Sequence, residues 1–406
     1  MQKGVAPQTA RDLLLAVPFT LPPVEHVSLT SARGRVLSED ILADVPIPPF
    51  DRSPFDGYAF RGEDTADASQ NAPVTLKITE ELPAGTAPTK PVTPGFAAKI
   101  LTGAPLPRGA NATIKYEETE FTDATVKLVA PVAPRKNVVY AGEDVALGAL
   151  VARRGDVISP AMLGLFASVG RSEVPVYKKP IAAVLNTGSE LVEPGNPLPP
   201  AKIYNSSVFV LISALEDIGF EAYNAGVVRD EPTEIAARMR ARLDECDVLI
   251  TTGGASVGDY DFSVAAAQRL GAEILFWKTT LKPGGAMVMS RLGEKLILSL
   301  SGNPGSALMG LTHIAKPALR ARAGHRDVTY EPVFVKLKHG FENTSGRSRV
   351  LRGHLEIGAD AQAYFVQEGA QGGGALSSFA FCDLLAELPA KSGTVAAGAV
   401  VPAYKM

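Results

Sequence analysis

Val248-Leu249-Ile250-Thr251-Thr252-Gly253-Gly254-Ala255-Ser256-Val257-Gly258-Asp259-Tyr260-Asp261 is the stretch on which the fold turns. Its apolar start reads as a buried strand, its glycine- and hydroxyl-rich remainder as a loop, and Phe262 to Leu270 as the helix that follows. The same unit repeats on either side. Ile181-Ala182-Ala183-Val184-Leu185 is a buried strand that runs into Asn186-Thr187-Gly188-Ser189-Glu190. Val208, Leu211, Ile212 and Leu215 then share one helix face, and Gly219 stops that helix. Val227-Val228 reads as a short strand, Pro232-Thr233 opens a helix carrying Ile235, Met239 and Leu243, and Leu296-Ile297-Leu298 is a strand before a helix from Ser306. Alternation of this kind predicts a three-layer α/β domain with a mostly parallel sheet over residues 180–325.

The flanks have a different texture. Short alternating runs such as Val74-Thr75-Leu76-Lys77-Ile78 and Thr125-Val126-Lys127-Leu128-Val129, separated by Pro and Gly, predict an inserted β-rich domain over 46–140. Residues 1–45 and 141–179 are expected to form one discontinuous linking domain. It holds a helix capped by Thr9, with Leu13 to Leu15 in its core, and another near Ala161 to Ser168. Val333 to Leu337 and Ala363 to Val366 read as strands of a small C-terminal β-barrel-like domain over 326–406.

Composition narrows the function classes. Forty Lys and Arg against 43 Asp and Glu leave a net charge of −3, so no basic excess points to nucleic acid or a membrane surface. A hydrophobic fraction of 46% supplies several cores, and 38 Gly with 31 Pro imply many turns. The only cysteines, Cys246 and Cys382, form no CxxC, which favours a reducing compartment over a disulfide or zinc framework. The first residues lack the apolar run of a signal peptide. The uncharged stretch from Leu296 to Ala315 is interrupted by Ser299, Ser301, Gly302, Asn303, Pro304 and Gly305, so it is not expected to span a bilayer. A cytoplasmic protein without membrane or nucleic-acid partners is expected.

Ligands of such sheets bind at the carboxyl ends of the strands. Three loops there are polar and rich in glycine: Asn186 to Glu190, Thr251 to Asp261, and Ser301-Gly302-Asn303-Pro304-Gly305-Ser306. Glycine lets consecutive N–H groups approach an anion, a following helix adds its positive end, and hydroxyls donate to phosphate. Any one loop could be a plain turn; three on successive strands favour a phosphate-bearing ligand. Asp259 and Asp261 suit a hard cation. Lys282-Pro283-Gly284-Gly285 offers a lysine beside a flexible turn. No Walker A or GxGxxG stands between strand and helix, and His26, His313, His325, His339 and His354 form no metal or triad pattern.

These residues resemble the molybdopterin molybdenumtransferase family, which includes bacterial MoeA and the gephyrin E domain. The resemblance rests on Asp51-Arg52-Ser53-Pro54-Phe55-Asp56-Gly57-Tyr58-Ala59, Thr102-Gly103-Ala104-Pro105-Leu106-Pro107, Gly142-Glu143-Asp144, Thr187-Gly188-Ser189-Glu190-Leu191-Val192, Thr252 to Asp261, Lys282-Pro283-Gly284 and Gly302-Asn303-Pro304. It implies molybdenum-cofactor synthesis, in which molybdate is inserted into adenylyl-molybdopterin with release of AMP in a Mg2+-dependent reaction. It implies catalytic roles for Asp259, Glu190, Asp56 and Lys282, with Glu190 and Asp259 as metal ligands. Substrate contacts are implied at Thr102, Asp144, Thr187, Gly188, Asp230, Thr252, Gly253, Gly254, Ser256, Gly302, Asn303, Pro304, Ser306, Arg347 and Arg352. An elongated homodimer with shared active sites is implied, as is an enzyme that donates adenylyl-molybdopterin.

The chain departs from the family pattern at several places. Gly285 stands where a second pocket lysine is usual, Ser189 and Asn111 where Asp is common, Ser207 where Asn is, and Ser301 where Pro is. Lys278 or Lys115 is a candidate replacement for the lysine. The alternatives these changes leave open are a pterin- or nucleotide-binding scaffold without catalysis and a tungstate-preferring enzyme. An adenylyltransferase built on the α/β domain alone would not need the flanking β domains.

Overall fold

The computed structural model describes residues 2–254, 262–329 and 331–406. At its centre is a seven-stranded sheet in the order Gln2–Val5, Glu273–Thr279, Met287–Leu292, Lys295–Leu300, Val248–Thr252, Ile181–Thr187, Glu221–Val228. The last four run parallel to one another, while Met287–Leu292 is antiparallel to both its neighbours. Alternate residues of each strand enter opposite cores, as the pleat requires. Ala182, Val184, Ile250 and Leu298 face one, with helix Ser207–Ile218 and the helical run from Pro304 to Arg322. Ala183, Leu185, Leu249 and Ile297 face the other, with helices Pro232–Leu243 and Phe262–Leu270. Helices on both faces make the three-layer arrangement, and each fully buried leucine contributes about 2 kcal/mol of transfer free energy.

Local details differ from the sequence reading. The first helix is Pro7–Leu15, starting two residues before Thr9; Ala6 is its N-cap and no side chain caps it, because Pro7 already fixes the entry geometry at the first position. Only Leu14 of its three leucines is fully buried, and it packs with Ala10 and Val17 in the core of the central sheet. Gln2–Val5 pairs in parallel with Glu273–Thr279, so residues 2–17 lie on the central sheet and not with the linking strands. Val227-Val228 is the end of an eight-residue strand. The helix expected from Ser306 begins at Pro304, where proline again occupies the first turn, and passes through a π-helical turn, Gly310–Ala315, to reach Arg322.

Strand Val24–Ser28 pairs antiparallel with Glu173–Tyr177, and Ile41–Leu42 with Leu150–Ala152. Between those returns stands a six-stranded sheet in the order Ala112–Lys115, Gly57–Phe60, Phe96–Ile100, Val74–Leu82, Thr125–Leu128, Glu120–Phe121. Ser159 caps helix Pro160–Ser168, its Oγ accepting from the Met162 N–H at 3.3 Å. Near the C-terminus, Ser348–Ile357, Ala363–Gln367, Val333–Leu337, Val400–Lys405 and Leu384–Leu388 pair in turn, and the last returns to the first. That closes a five-stranded barrel around Leu337, Leu351 and Phe365. Among the described residues, no helix is long and apolar enough to cross a membrane.

Candidate active site

Three strand-end loops meet at the carboxyl edge of the parallel strands. Backbone hydrogen bonds tie them together: Gly188 N–H donates to the Val228 carbonyl at 3.1 Å, and Gly253 N–H to the Leu300 carbonyl at 3.3 Å. The approach is so close that only glycine fits. A Cβ on Gly253 would lie 2.4 Å from Thr187 Oγ1 and 2.6 Å from the Thr187 carbonyl oxygen, at a φ of +92°. A Cβ on Gly302 would in turn lie 3.4 Å from the Gly253 Cα. Thr187, Gly188, Thr252, Gly253, Gly254 and Gly302 are therefore one contiguous surface, with Asn303 and Pro304 next in the chain.

Oxygen donors gather on that surface. The Glu190 carboxylate sits over Gly188, where a Cβ would meet its Oε2 at 2.6 Å. Thr187 Oγ1 is buried and has no hydrogen-bond partner among the described residues. Thr252 Oγ1 accepts from Asn186 Nδ2 at 2.6 Å, and Asn205 Nδ2 reaches Asn186 Oδ1 at 3.4 Å and Glu193 Oε1 at 3.2 Å. These asparagines hold the two loops in register behind the surface. A cleft of about 470 Å³ opens beside Gly188 and Ser189, with Lys202 and Arg229 on its walls. Lys202 Nζ donates to the Ser189 carbonyl at 2.6 Å. Asp230 follows Arg229 at the end of Glu221–Val228 and is partly exposed. Neither Lys202 nor Arg229 was expected here; each is an isolated cation in sequence, and only the pairing of neighbouring strands brings it to Gly188.

A second group lies where the barrel meets the sheet. Lys282 is exposed at the end of Leu281–Lys282, which pairs in parallel with Ser348 and Arg349 of the barrel. The turn after it packs on helix Pro304–Met309, since a Cβ on Gly284 would touch Met309 Cβ and the Ser306 carbonyl at 3.1 Å. Ser306 Oγ, expected to face a phosphate, donates instead to the Gly373 carbonyl at 3.3 Å. Arg349, two residues beyond Arg347, stands beside Lys282 in the register and donates to the Gln371 carbonyl at 3.0 Å. Burial lowers its pKa, and its Nε has no partner among the described residues.

The two arginines expected in the pocket stand in different surroundings. Arg347 is exposed, and its carbonyl accepts from Asn343 Nδ2 at 3.1 Å. Arg352 is fully buried: Nη1 donates to the Gly372 carbonyl at 3.1 Å, Nη2 to the Ala370 carbonyl at 3.0 Å, and the guanidinium rests 4.9 Å from the Phe379 ring. Burial, then the charge of Arg349, pushes its pKa down to about 10, so it stays charged at neutral pH. Its work is to hold the glycine loop that packs on Ser306. The Ala370 and Gly372 carbonyls and the Phe379 ring hold the guanidinium on the face of the strand opposite Leu351, which fills the barrel core.

Asp56 and Thr102 form a third, separate group in the six-stranded unit. Asp56 Oδ1 accepts from Thr102 N–H at 2.7 Å and Thr102 Oγ1 at 2.8 Å, and these bonds, the backbone one first, hold the exposed carboxyl below the usual Asp value. Asp144 is exposed in a turn, its N–H bonded to the Ile47 carbonyl at 3.0 Å. Among the described residues, no hydrogen bond or ion pair joins this group to the strand-end loops. Asn111 is also remote from them: its Oδ1 accepts from Gly62 N–H at 2.7 Å and its Nδ2 donates to Glu63. Ser256, Asp259 and Asp261 lie outside the described residues. Among those described, no three His, Cys, Asp or Glu side chains cluster to hold a metal.

Comparison with known proteins places this geometry. Family models match the MoeA N-terminal region (domain I and II) over residues 5–170, a probable molybdopterin binding domain over 183–321, and the MoeA C-terminal region (domain IV) over 335–406. The molybdopterin molybdenumtransferase of Staphylococcus aureus strain MSSA476 is 31% identical over 379 residues, covering 93% of this chain and 90% of its own. That of Bacillus subtilis strain 168 is 35% identical over 300 residues, covering 73% and 70%. The crystal structure of the molybdopterin biosynthesis MoeA protein from Pyrococcus horikoshii OT3 superposes with a TM-score of 0.84 at 31% identity, covering 99% of this chain and 100% of its own.

Proposed function

This chain belongs to the molybdopterin molybdenumtransferase family, an enzyme family of molybdenum-cofactor synthesis, and from that premise we propose that it inserts molybdate into adenylyl-molybdopterin with release of AMP. The observation that carries the reading is the convergence of Thr187-Gly188, Thr252-Gly253-Gly254 and Gly302-Asn303 into one surface, with the Lys282 loop packed on the adjoining helix. Peptide N–H groups and the helix end favour a phosphate chain on that surface, and Lys282 meets a second oxyanion. Water attacks the adenylyl phosphorus, the pyrophosphate P–O bond breaks, and AMP leaves from molybdopterin phosphate. Molybdate then exchanges oxo ligands for the two dithiolene sulfurs, with loss of water. Positioning and charge stabilisation supply the catalysis.

The side chains suit Mg2+, because Glu190 and the unpartnered Thr187 Oγ1 are hard oxygen donors. Glu190 and Asp259 would hold the ion, which supplies charge neutralisation at the phosphates when bound. Asp56, Thr102 and Asp144 have no link to this surface within the chain, and we assign them to the facing site of a homodimer. Of the two candidate replacements for the lysine missing at Gly285, Lys278 is nearer in the fold, although its Nζ rests 4.3 Å from the Trp277 ring. Its neighbour Thr279 donates its N–H to the Gly285 carbonyl at 2.9 Å, whereas Lys115 lies over Phe55 in the separate sheet. The absence of that lysine is what favours the scaffold as a second reading. Incubation with adenylyl-molybdopterin, Mg2+ and molybdate separates them: the enzyme yields AMP and active cofactor, whereas the scaffold binds substrate and yields no AMP.

A further inference from the structure

A cavity of about 410 Å³ lies at the opposite end of the central sheet from the candidate active site. Its floor is formed at Ile181, Asp247 and Lys295, which begin or immediately precede three of the parallel strands. Its walls are the two chain connections that join the linking strands to the sheet, one running from Phe19 to Pro23 and the other from Lys178 to Pro180. Arg322, from the end of helix Lys316–Arg322, closes it.

The polar groups are arranged unequally. The two carboxylates on the lining accept from backbone, Asp247 Oδ2 from Ile181 N–H at 2.7 Å and Glu294 Oε2 from Thr20 N–H at 2.8 Å, and their charges also act on Arg322 without hydrogen-bonding it. The cations are not all committed. Arg322 is only 6% exposed, rests 4.9 Å from the Phe19 ring and reaches the Val17 carbonyl at 3.5 Å, yet its Nε–H has no acceptor among the described residues. Lys178 and Lys179 stand exposed at the rim and make no ion pair among the described residues. A buried N–H without an acceptor is costly, and an incoming acceptor recovers that cost. The remainder of the wall (Phe19, Leu21, Pro22 and Pro180) is apolar, with an aromatic ring and two proline rings.

We infer that this cavity binds a small organic anion, one carboxylate-, sulfonate- or phosphate-type head on a flat apolar body. The head accepts from Arg322 Nε with Lys178 and Lys179 around it, and the body lies on Phe19 and the prolines. The site is separate from the strand-end surface and rests on none of the residues assigned there. Because it touches both chain connections, its ligand braces the linking strands against the sheet.

The probe is 1-anilinonaphthalene-8-sulfonate, titrated by fluorescence into the full-length protein, with the uncharged N-phenyl-1-naphthylamine as its counterpart. The expected result is one saturable site per chain at which the sulfonate binds at least about tenfold more tightly than the neutral molecule. The double substitution Lys178→Ala/Lys179→Ala, confined to exposed side chains, weakens the sulfonate by about tenfold and leaves the neutral probe unchanged. Arg322→Gln, accepted only with a thermal transition showing a folded protein, weakens it further. Equal binding of the two probes, or an unchanged sulfonate affinity in the double lysine variant, overturns the inference.

Discussion

Replacing Gly285 by lysine restores the residue usual in the family at that position, and the structure predicts that it harms the protein. An ideal Cβ at Gly285 lies 2.3 Å from the Leu281 carbonyl oxygen and 2.7 Å from that of Thr279, where ordinary contact begins at 3.4 Å. Both obstacles are backbone, so the turn must shift by about 1 Å, an overpacking that costs about 1–3 kcal/mol. The shift also loosens the Thr279 N–H bond to the Gly285 carbonyl, 2.9 Å long, for about 1 kcal/mol more. The total of about 2–4 kcal/mol corresponds to a fall on the order of 10 °C in the transition of the central unit. Trp277, the only tryptophan, lies on the strand leading into this turn and reports that transition by fluorescence. Molybdate affinity, measured on the folded variant at low temperature, should not rise. A Gly285→Lys protein that melts with the parent and binds molybdate more tightly would refute the geometry of this loop.

Gly253→Ala places a Cβ against Thr187 in the left-handed region and should cost about 2–4 kcal/mol in urea unfolding, with AMP release falling more than about tenfold. Parent-like stability and turnover would show that the loops do not converge. Arg352→Met deprives the Ala370 and Gly372 carbonyls of their donors and should cost about 2–5 kcal/mol, seen as faster amide exchange across the glycine loop around residue 372. For Glu387, burial opposes ionisation, but the hydrogen bond with His313 at 3.0 Å and the charge of Arg11 outweigh it, so the carboxyl stays below its ordinary 4.5. A lowered folded value means stabilisation that is complete above about pH 4.5 and lost as pH falls through the folded pKa. Urea midpoints of Glu387→Gln should therefore lack the part of the pH dependence that the parent shows in that acid window.

The central sheet was legible because its strands are continuous apolar runs and its helices keep a 3.6-residue period; Val248-Leu249-Ile250 and Val208 to Leu215 leave little choice of period. Gln2–Val5 was not, since a sheet-edge strand with polar residues becomes a strand only when Glu273–Thr279 offers its hydrogen bonds. The loop glycines were legible as a group, but which of them require glycine became visible only from the 2.4 Å approach of Thr187 to Gly253. Arginine positions were read least well. Arg347, Arg349 and Arg352 look alike in sequence; the first, just before the barrel strand, is exposed, the register sets the second beside Lys282, and the third is buried on the carbonyls of Ala370 and Gly372.

The most direct measurement is a crystal structure of the protein soaked with AMP and molybdate. The nucleotide phosphate is expected on the N–H groups of Gly254 and Gly302, since the Gly253 N–H is held by the Leu300 carbonyl, and the oxyanion within hydrogen-bond reach of Lys282. A nucleotide bound away from these glycines, or a molybdate that ignores Lys282, would contradict it.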